Sequence, residues 1–269
     1  MAMMTKMAHL LIKFGGGLIT DKSAMKTADV DVITNLANLT QQLLSQGHAI
    51  TIVHGAGSFG HLKAKKWKIS QGADQAILTE QIHAVDSIRQ DMLELDSIVC
   101  EALGQQNIEI RNLPPSQWAR ETGPNFTGSL TPITNCPRDI VAVTFGDVVD
   151  CDLPKRFGIL SGDDLMVRIA QESQSITHCI FLLGDTEGLL SAPPSDQSAE
   201  LIPIWKPSHE IFGVHDSTLD VTGGIFLKLE SAAMIAQNVE QVWFLDGRKT
   251  DRVLQLLAKG TTRGTRIML

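Results

Sequence analysis

Short apolar runs, most of which end at a glycine, recur along the 269 residues of this chain and alternate with helical patterns. The runs are almost continuously apolar, which is typical of parallel strands in a sheet that is covered on both faces. Parallel neighbours need a crossover connection between them, and a helix usually supplies it. We predict strands at residues 9–14, 48–54, 108–113, 140–145, 157–162, 179–184 and 241–247.

Apolar residues at helical spacing fill several of the gaps between these strands. Between Asp29 and Gln46 they form one stripe, and Gly47 is suited to end that helix. This alternation predicts an α/β fold, a three-layer α/β/α sandwich with a mostly parallel central sheet. The other predicted helices span residues 75–103, 164–172 and 228–238.

Two stretches do not fit the alternation. Residues 114–138 contain five prolines together with several glycines, threonines and asparagines, and they predict a loop or an irregular hairpin. Residues 191–219 are similarly irregular. Long loops of this kind in compact domains are usually functional lids or connections. No repeat or linker separates the chain into parts, so we expect a single domain over residues 1–269.

Charge and cysteine spacing exclude several classes of protein. The formal net charge is −7 and the basic residues are dispersed, which argues against nucleic acid or an anionic membrane as a partner. The apolar run near the N-terminus is short and is interrupted by Lys13 and by glycines, so we expect neither a signal peptide nor a membrane span. The four cysteines lie far apart, so we expect reduced thiols and a cytoplasmic protein.

Glycine-rich loops after the first two strands carry the functional signal. Residues 15–17 are all glycine, with Lys13 before them and Lys22 after them. The second strand leads into another glycine-rich segment, which ends at His61. Glycines let backbone N–H groups approach phosphate oxygens closely, and ligands of open parallel sheets bind beyond the carboxyl ends of the strands. The two loops therefore predict an anion site.

Two common phosphate motifs do not account for these loops. The Walker pattern G-x-x-x-x-G-K-[ST] is absent from the chain. Glycines 55, 57 and 60 have the spacing of a dinucleotide fingerprint, but they follow the second strand, and no predicted strand supplies the required acidic residue. Three later glycine sites carry acid or hydroxyl groups, at residues 161–164, 182–190 and 220–228.

Taken together, these motifs resemble the amino-acid kinase superfamily and, within it, the isopentenyl phosphate kinases most closely. The matches follow the family's order over nearly the whole chain, so as a set they are specific. The matching segments are KFGGGLITDK (13–22), HGAGSFGH (54–61), GDVV (146–149), SGDD (161–164), the D-x-TGG-x3-K segment (220–228) and GTRI (264–267).

The resemblance implies transfer of a phosphoryl group from ATP, with Mg²⁺, to a small phosphorylated acceptor. Lys13, Lys22 and Lys228 would neutralise the transferring group, Asp163 would hold the lysines, and His61 would hydrogen-bond the acceptor phosphate. Neutralisation and alignment are the main needs of this chemistry. The implied nucleotide site comprises Lys13, Gly15, Gly16, Gly17, Gly57, Asp185, Gly188, Gly224 and Lys228. The implied acceptor site comprises Gly55, Ala56, Ser58, Gly60, His61 and Gly162.

Three departures from the family pattern concern these sites. Gly17 stands where a serine is usual, and Ala56 replaces the middle glycine of the second loop. Residues 184–188 replace the usual Thr-Asp-Val-Asp-Gly. We therefore expect the fold and the ATP site to follow the family, with the identity of the acceptor less constrained.

The leading interpretation is an isopentenyl phosphate kinase that forms isopentenyl diphosphate, and the family implies a homodimer. A related alternative is a kinase for another small phosphate or for a phosphonate such as fosfomycin. An alternative from another class is a non-catalytic nucleotide sensor, which would be expected to lack one of the three lysines. The pattern leaves protein ligands of the metal unassigned. Residues that could line a pocket for an apolar acceptor tail are Ile77, Leu78, Ile82 and Val85.

Overall fold

An eight-stranded sheet organises the computed structural model, which describes residues 7–21, 23–207 and 224–269. The strand order is β3-β4-β2-β1-β7-β9-β10-β8, and every pairing is parallel except that of β10 with β9. The predicted mostly parallel sheet is confirmed. Its strands are β1 (His9–Phe14), β2 (Ala49–His54), β3 (Glu109–Asn112), β4 (Ile140–Phe145), β7 (His178–Leu183), β8 (Ile204–Trp205), β9 (Gln241–Asp246) and β10 (Thr265–Ile267); β5 (Asp147–Asp150) and β6 (Phe157–Leu160) form a separate hairpin.

Helices cover both faces of the sheet. Leu10 and Ile12 belong to a core shared with α2 and α4, whereas Leu11, between them, belongs to a core shared with α6 and α7. Alternate residues of a strand point to opposite faces, so a nearly continuous apolar strand supplies two cores. The helices are α1 (Gly16–Ile19), α2 (Val30–Ser45), α3 (Gly57–Lys66), α4 (Leu78–Gln105), α5 (Thr131–Thr134), α6 (Gly162–Glu172), α7 (Gly224–Ala236) and α8 (Asp251–Lys259), with 3₁₀ turns at Ile69–Gln71 and Pro115–Gln117.

Local capping explains where two predicted helices begin. The Asp29 carboxylate accepts a hydrogen bond from the Val32 amide at the start of α2. Ser161 and Asp164 form a reciprocal capping box at the start of α6, in which each side chain satisfies a backbone N–H of the other residue. The SGDD segment is thus a helix start with a structural purpose of its own.

The run at 157–162 was predicted as a strand of the parallel sheet, and that prediction was wrong. Its ordered part, β6, pairs antiparallel with β5 outside the main sheet. The run is nevertheless apolar because its side chains are buried. Phe157 packs into the core shared with α2 and α4, and Leu160 packs into the core shared with α6 and α7. Burial sets the apolar pattern, and the pattern does not say which sheet the strand joins.

The glycine-rich segment that ends at His61 was predicted as a loop, but most of it is helical. Helix α3 begins at Gly57, so Ser58, Gly60 and His61 all lie in its first turns. Its two glycines, Gly57 and Gly60, disfavour a helix locally, so tertiary contacts have to stabilise this start. Residues 114–138 do lack regular strands, as predicted, and contain the 3₁₀ turn at Pro115–Gln117, α5 and an isolated antiparallel β-bridge between Arg120 and Thr127.

Strand register brings the two glycine loops together. Lys13 is paired with Val53, and Phe14 with His54, so β1 and β2 end at the same level. Neighbouring β7 ends there as well, because Phe14 is also paired with Leu182. The segments that follow these strands therefore emerge side by side at the carboxyl edge of the sheet. None of the helices formed by the described residues is long and apolar enough to cross a membrane.

Candidate active site

The first two glycine loops touch each other through their backbones. A Cβ atom on Gly16 would lie 2.4 Å from the amide nitrogen of Gly57, and one on Gly55 would lie 2.5 Å from the amide nitrogen of Gly16. Distances under 3 Å to backbone atoms leave no room for a side chain, so glycine is required at both positions. The run of glycines thus permits close approach between the two loops.

A third loop closes this edge on the other side. The Gly15 amide donates to the Leu182 carbonyl over 3.1 Å, and a Cβ atom on Gly184 would lie 2.4 Å from the Gly17 carbonyl oxygen. The predicted nucleotide residues Asp185 and Gly188 follow in the same loop. The loops after β1, β2 and β7 therefore form one continuous surface.

An ion pair holds the loop after β7 in place. The Glu187 carboxylate accepts two hydrogen bonds from Arg263, of 2.8 and 2.6 Å, and lies 3.4 Å from the Lys249 ammonium. These contacts hold the pKa of Glu187 below its ordinary value. Glu187 stands where the family has an aspartate, and its partners come from the segments after β9 and before β10.

Lys13 and Asp163 form a buried ion pair beside these loops. Lys13 is the fifth residue of β1, and its ammonium group contacts the carboxylate of Asp163 in the first turn of α6. Both side chains are largely shielded from solvent, with exposed fractions of 7% and 15%. Gly162 makes room for the lysine, since a Cβ atom there would lie 3.3 Å from Lys13 Cε.

Lys228, on α7, lies close enough to act electrostatically on both members of this pair. Burial by itself raises the pKa of the Asp163 carboxyl, but Lys13 and Lys228 together hold that pKa below its ordinary value. Asp163 thus lies within electrostatic reach of two lysines, while Asp164, the next residue of α6, also acts on Lys13. Two lysine ammonium groups at one site can offset charge on a phosphoryl group in transfer.

His61 lies on the exposed face of α3, near the start of that helix. A helix start carries a partial positive charge, which suits a phosphate. Ser58, predicted beside it, is engaged elsewhere, since its hydroxyl accepts from the Thr27 amide over 3.3 Å and its own amide donates to Thr20. Ser58 therefore orders the loop, and the prediction that it binds the acceptor stays untested.

Ala56 shows how the departure from the family's glycine is accommodated. Its backbone dihedral angles, φ −77° and ψ −30°, are open to any residue. A Cβ atom on Gly60 would lie 2.9 Å from the Ala56 methyl group, so that methyl group packs against the backbone of the next helical turn. The methyl group of Ala56 therefore fits only because residue 60 is a glycine, which has no side chain.

A buried polar cluster behind the second loop was not anticipated from the sequence. His54, fully buried at the end of β2, stacks on Phe145 and lies 3.3 Å from the Asp96 carboxylate on α4. Asn112, at the end of β3, donates to the other oxygen of Asp96. Asp96 interrupts the apolar stripe of the long helix between Leu95 and Val99, and that interruption is the signal that could have revealed it.

Some predicted site residues lie outside the described residues, and the candidates for an acceptor pocket differ in their exposure. Lys22 and residues 220–223 of the D-x-TGG-x3-K segment fall outside them. Gly224 is the first described residue of α7. Among the candidates for an acceptor pocket, Val85 is buried in the core, whereas Ile82 is 41% exposed. Ile77 and Leu78 are half-buried at the start of α4.

Curated relatives match this chain over most of its length. The isopentenyl phosphate kinase of Thermoplasma acidophilum is 28% identical, and the match covers 91% of this chain and 94% of that protein. The isopentenyl phosphate kinase of Haloferax volcanii is 30% identical over 83% of this chain and 86% of that protein.

Solved structures agree with this likeness. A product complex of the T. acidophilum isopentenyl phosphate kinase superposes with a TM-score of 0.79 at 26% identity, covering 97% of this chain and all of that one (100%). An aspartate kinase from Synechocystis, 15% identical with a TM-score of 0.60, shares the fold over 96% of this chain and 40% of its own. The amino acid kinase family itself matches residues 9–246. This chain belongs to the amino acid kinase family.

Proposed function

We propose that this protein is an ATP-dependent isopentenyl phosphate kinase, which forms isopentenyl diphosphate and ADP. The observation that carries the proposal is the buried Lys13–Asp163 pair with Lys228 beside it, set at the edge where the glycine loops meet. The full-length similarity to isopentenyl phosphate kinases supports the choice of acceptor. The product belongs to isoprenoid biosynthesis.

In the proposed reaction, an oxygen of the acceptor phosphate forms a bond to the γ-phosphorus of ATP while the bond to the β,γ-bridging oxygen breaks. The acceptor phosphate is already ionised near neutral pH, so no general base is needed. Lys13 and Lys228 offset the charge on the transferring group, and Asp163 keeps the Lys13 side chain in position. His61 donates a hydrogen bond to the acceptor phosphate. These roles follow the needs of an in-line transfer, which are charge neutralisation and alignment.

Magnesium enters this scheme with the nucleotide. Mg²⁺ commonly binds through substrate phosphates, waters and one or two carboxylates, without a cage made by the protein. Within residues 7–21, 23–207 and 224–269, no three histidine, cysteine or acidic side chains are grouped so as to hold a metal ion. We therefore expect the Mg²⁺ ion to be bound mainly by the ATP phosphates, where the ion would neutralise part of their charge.

We further propose that one domain divides this work between two lobes. The N-terminal half, with His61 on α3, would mainly hold the acceptor. The C-terminal half, with the loop after β7 and helix α7, would mainly hold ATP. The family resemblance also supports a homodimer in the cytoplasm, and sedimentation velocity would measure the oligomeric state directly.

The test is phosphorylation of competing acceptors by the purified protein with ATP and Mg²⁺. Isopentenyl phosphate and fosfomycin are supplied at equal concentration, and the products are followed by ³¹P NMR. Each buried methylene contributes roughly 0.8 kcal/mol, so the apolar five-carbon tail favours isopentenyl phosphate if the site buries it. We expect the diphosphate to form well ahead of phosphorylated fosfomycin. Faster turnover of fosfomycin would refute the acceptor, and ATP binding without turnover of either would favour the sensor.

A further inference from the structure

The side-chain hydroxyl of Thr20 joins the first two glycine loops. Thr20 follows α1, and it is only 4% exposed. Its hydroxyl donates a hydrogen bond to the Gly16 carbonyl over 2.7 Å and accepts one from the Ser58 amide over 3.0 Å. A single oxygen atom therefore binds the segment after β1 and the segment after β2 at once.

The same hydroxyl caps helix α3 from a distant part of the chain. The first N–H groups of a helix have no partner within it, and a side-chain oxygen at the N-cap usually accepts from one of them. Here the N-cap is Ala56, which has no side-chain oxygen to offer. Thr20 supplies the acceptor for Ser58 instead. The start of the helix that carries His61 is thus tied to the loop that follows Lys13.

The backbone at Gly57 is shaped to admit Thr20. Gly57 has φ +48°, and a Cβ atom on it would lie 2.0 Å from the Thr20 hydroxyl oxygen and 2.8 Å from the Thr20 methyl carbon. The threonine therefore occupies the volume that a side chain at 57 would take. Two further contacts hold this region in place. An isolated antiparallel β-bridge pairs the backbone of Thr20 with that of Ala28, and the Thr27 amide donates a hydrogen bond to the Ser58 hydroxyl.

We propose that Thr20 is a positioning residue for phosphoryl transfer, which fixes the acceptor-binding start of α3 relative to the glycine loop beside Lys13. The proposal rests on the proposed function, because it takes the two loops to hold acceptor and ATP. In-line transfer depends on the separation of the reacting groups, and a misplacement of 1 Å can reduce the rate about 100-fold. The hydroxyl acts on the backbone that positions the substrates and need not touch either of them.

The test compares three variants by steady-state kinetics and by thermal unfolding. Thr20→Val keeps the shape of the side chain and removes the hydroxyl, whereas Thr20→Ser keeps the hydroxyl. Thr40→Val is the matched control, since Thr40 is also fully buried and donates to the Leu36 carbonyl over 2.8 Å, but inside α2. The exchange rate of the Ser58 amide hydrogen, measured by NMR, reports the loop contact without any substrate.

We expect Thr20→Val to lower kcat by about 10- to 100-fold, with smaller changes in KM for ATP and for the acceptor. Thr20→Ser should restore most of the rate, and Thr40→Val should lose stability while keeping kcat. The Ser58 amide should exchange faster in Thr20→Val than in Thr20→Ser. Unchanged kcat in Thr20→Val, equal damage by Thr20→Ser, or unchanged exchange would overturn the proposal. If wild type phosphorylates a different acceptor, the proposed function fails, and the same comparison is made with that acceptor.

Discussion

At the carboxyl edge of the sheet, Lys13 and Asp163 are buried as a charged pair with Lys228 nearby. At the amino edge of the same strands lie the buried imidazoles of His9 and His48. His9 begins β1 and binds the hydroxyls of Ser175 and Thr51, and His48 precedes β2 and accepts from the Ala8 amide at its Nδ1 atom.

The histidines of the amino edge are neutral at pH 7. Burial, and then the nearby Arg138, lower the pKa of His9 to about 4, and the same two causes lower the pKa of His48. Burial and His48 likewise lower the pKa of His178, at the start of β7, to about 4. Within the described part of the chain, the Nε2 atom of His48 has no hydrogen-bond partner. A neutral donor left unpaired costs far less than an unpaired charge.

The contrast between the charged pair at the carboxyl edge and the neutral histidines at the amino edge shows where this fold keeps buried charges. Desolvating an ion costs several kcal/mol, and a buried ion pair often stabilises a protein no more than apolar residues would. Stability alone therefore does not explain Lys13 and Asp163. Their charges are retained at the edge where the loops from three strands meet and where the proposed reaction needs positive charge. The predictions below test this contrast, from the largest expected effect to the smallest.

Removing the charge at the carboxyl edge should have the largest effect. We expect Lys13→Ala to reduce kcat by roughly 100- to 1,000-fold, because the charge that it offsets grows in the transition state. The affinity for ATP, measured by calorimetry, should change less. Lys259→Ala, at the exposed end of α8, is the control. Near-normal turnover of a folded Lys13→Ala protein would show that the reaction takes place elsewhere.

Separating the two glycine loops should be the next most damaging change. In Gly16→Ala the new Cβ atom would lie 2.4 Å from the Gly57 amide nitrogen, so the loops must move apart. We expect about 100-fold lower kcat and a lower melting temperature. Gly104→Ala is the matched control, because a Cβ atom at that position in α4 meets nothing within 4 Å. That change should raise stability by about 0.5–1 kcal/mol. Equal activity of the two variants would contradict the close approach.

Loss of the exposed imidazole at the acceptor side should have a smaller effect. A hydrogen bond to a charged phosphate contributes about 1.5–3 kcal/mol, so His61→Ala should lower kcat/KM for the acceptor roughly 10- to 100-fold. ATP binding should remain intact. His83→Ala removes another exposed histidine, on α4, and should leave the kinetics unchanged. If both variants behave alike, His61 does not contact the acceptor.

Protonation of the histidines at the amino edge should lower the stability of the folded protein without affecting catalysis. His9 and His178 accept protons more easily in the unfolded chain, whose histidine pKa is 6.5, than in the folded protein, where the pKa is about 4. Their stabilising contribution is therefore complete above pH 6.5 and is lost as the pH falls toward 4. Each ring contributes a slope of at most about 1.4 kcal/mol per pH unit.

Urea unfolding at a series of pH values measures that slope. We expect His9→Asn to be less stable at pH 7 than wild type but to show a shallower loss of stability between pH 6.5 and pH 4, the window set by its lowered pKa. A His9→Asn protein with an unaltered slope would show that His9 does not titrate in this window.

Much of the architecture was predictable because it follows from short-range patterns. Six of the predicted apolar runs are strands of the main sheet, and the stripe from Asp29 to Gln46 is α2. The start of α3 was not predictable in this way, because its glycines disfavour a helix and its cap comes from Thr20. The antiparallel pairing of β5 with β6 was not predicted either, because an apolar run shows that a strand is buried but does not identify its partner strand.

The sequence by itself determined the family, six strands of the main sheet with the helix from Asp29 to Gln46, and the glycine run that follows Lys13, because those signals lie within a few adjacent residues. Only the tertiary structure decided which distant groups meet. Thr20 and Ser58 are 38 positions apart, and His54 and Asp96 are 42 positions apart. Lys13 and Asp163 are separated by 150 positions, and the sequence suggested their pairing only through the family resemblance. A hydrogen bond between such residues depends on strand register and helix packing, which no local pattern encodes.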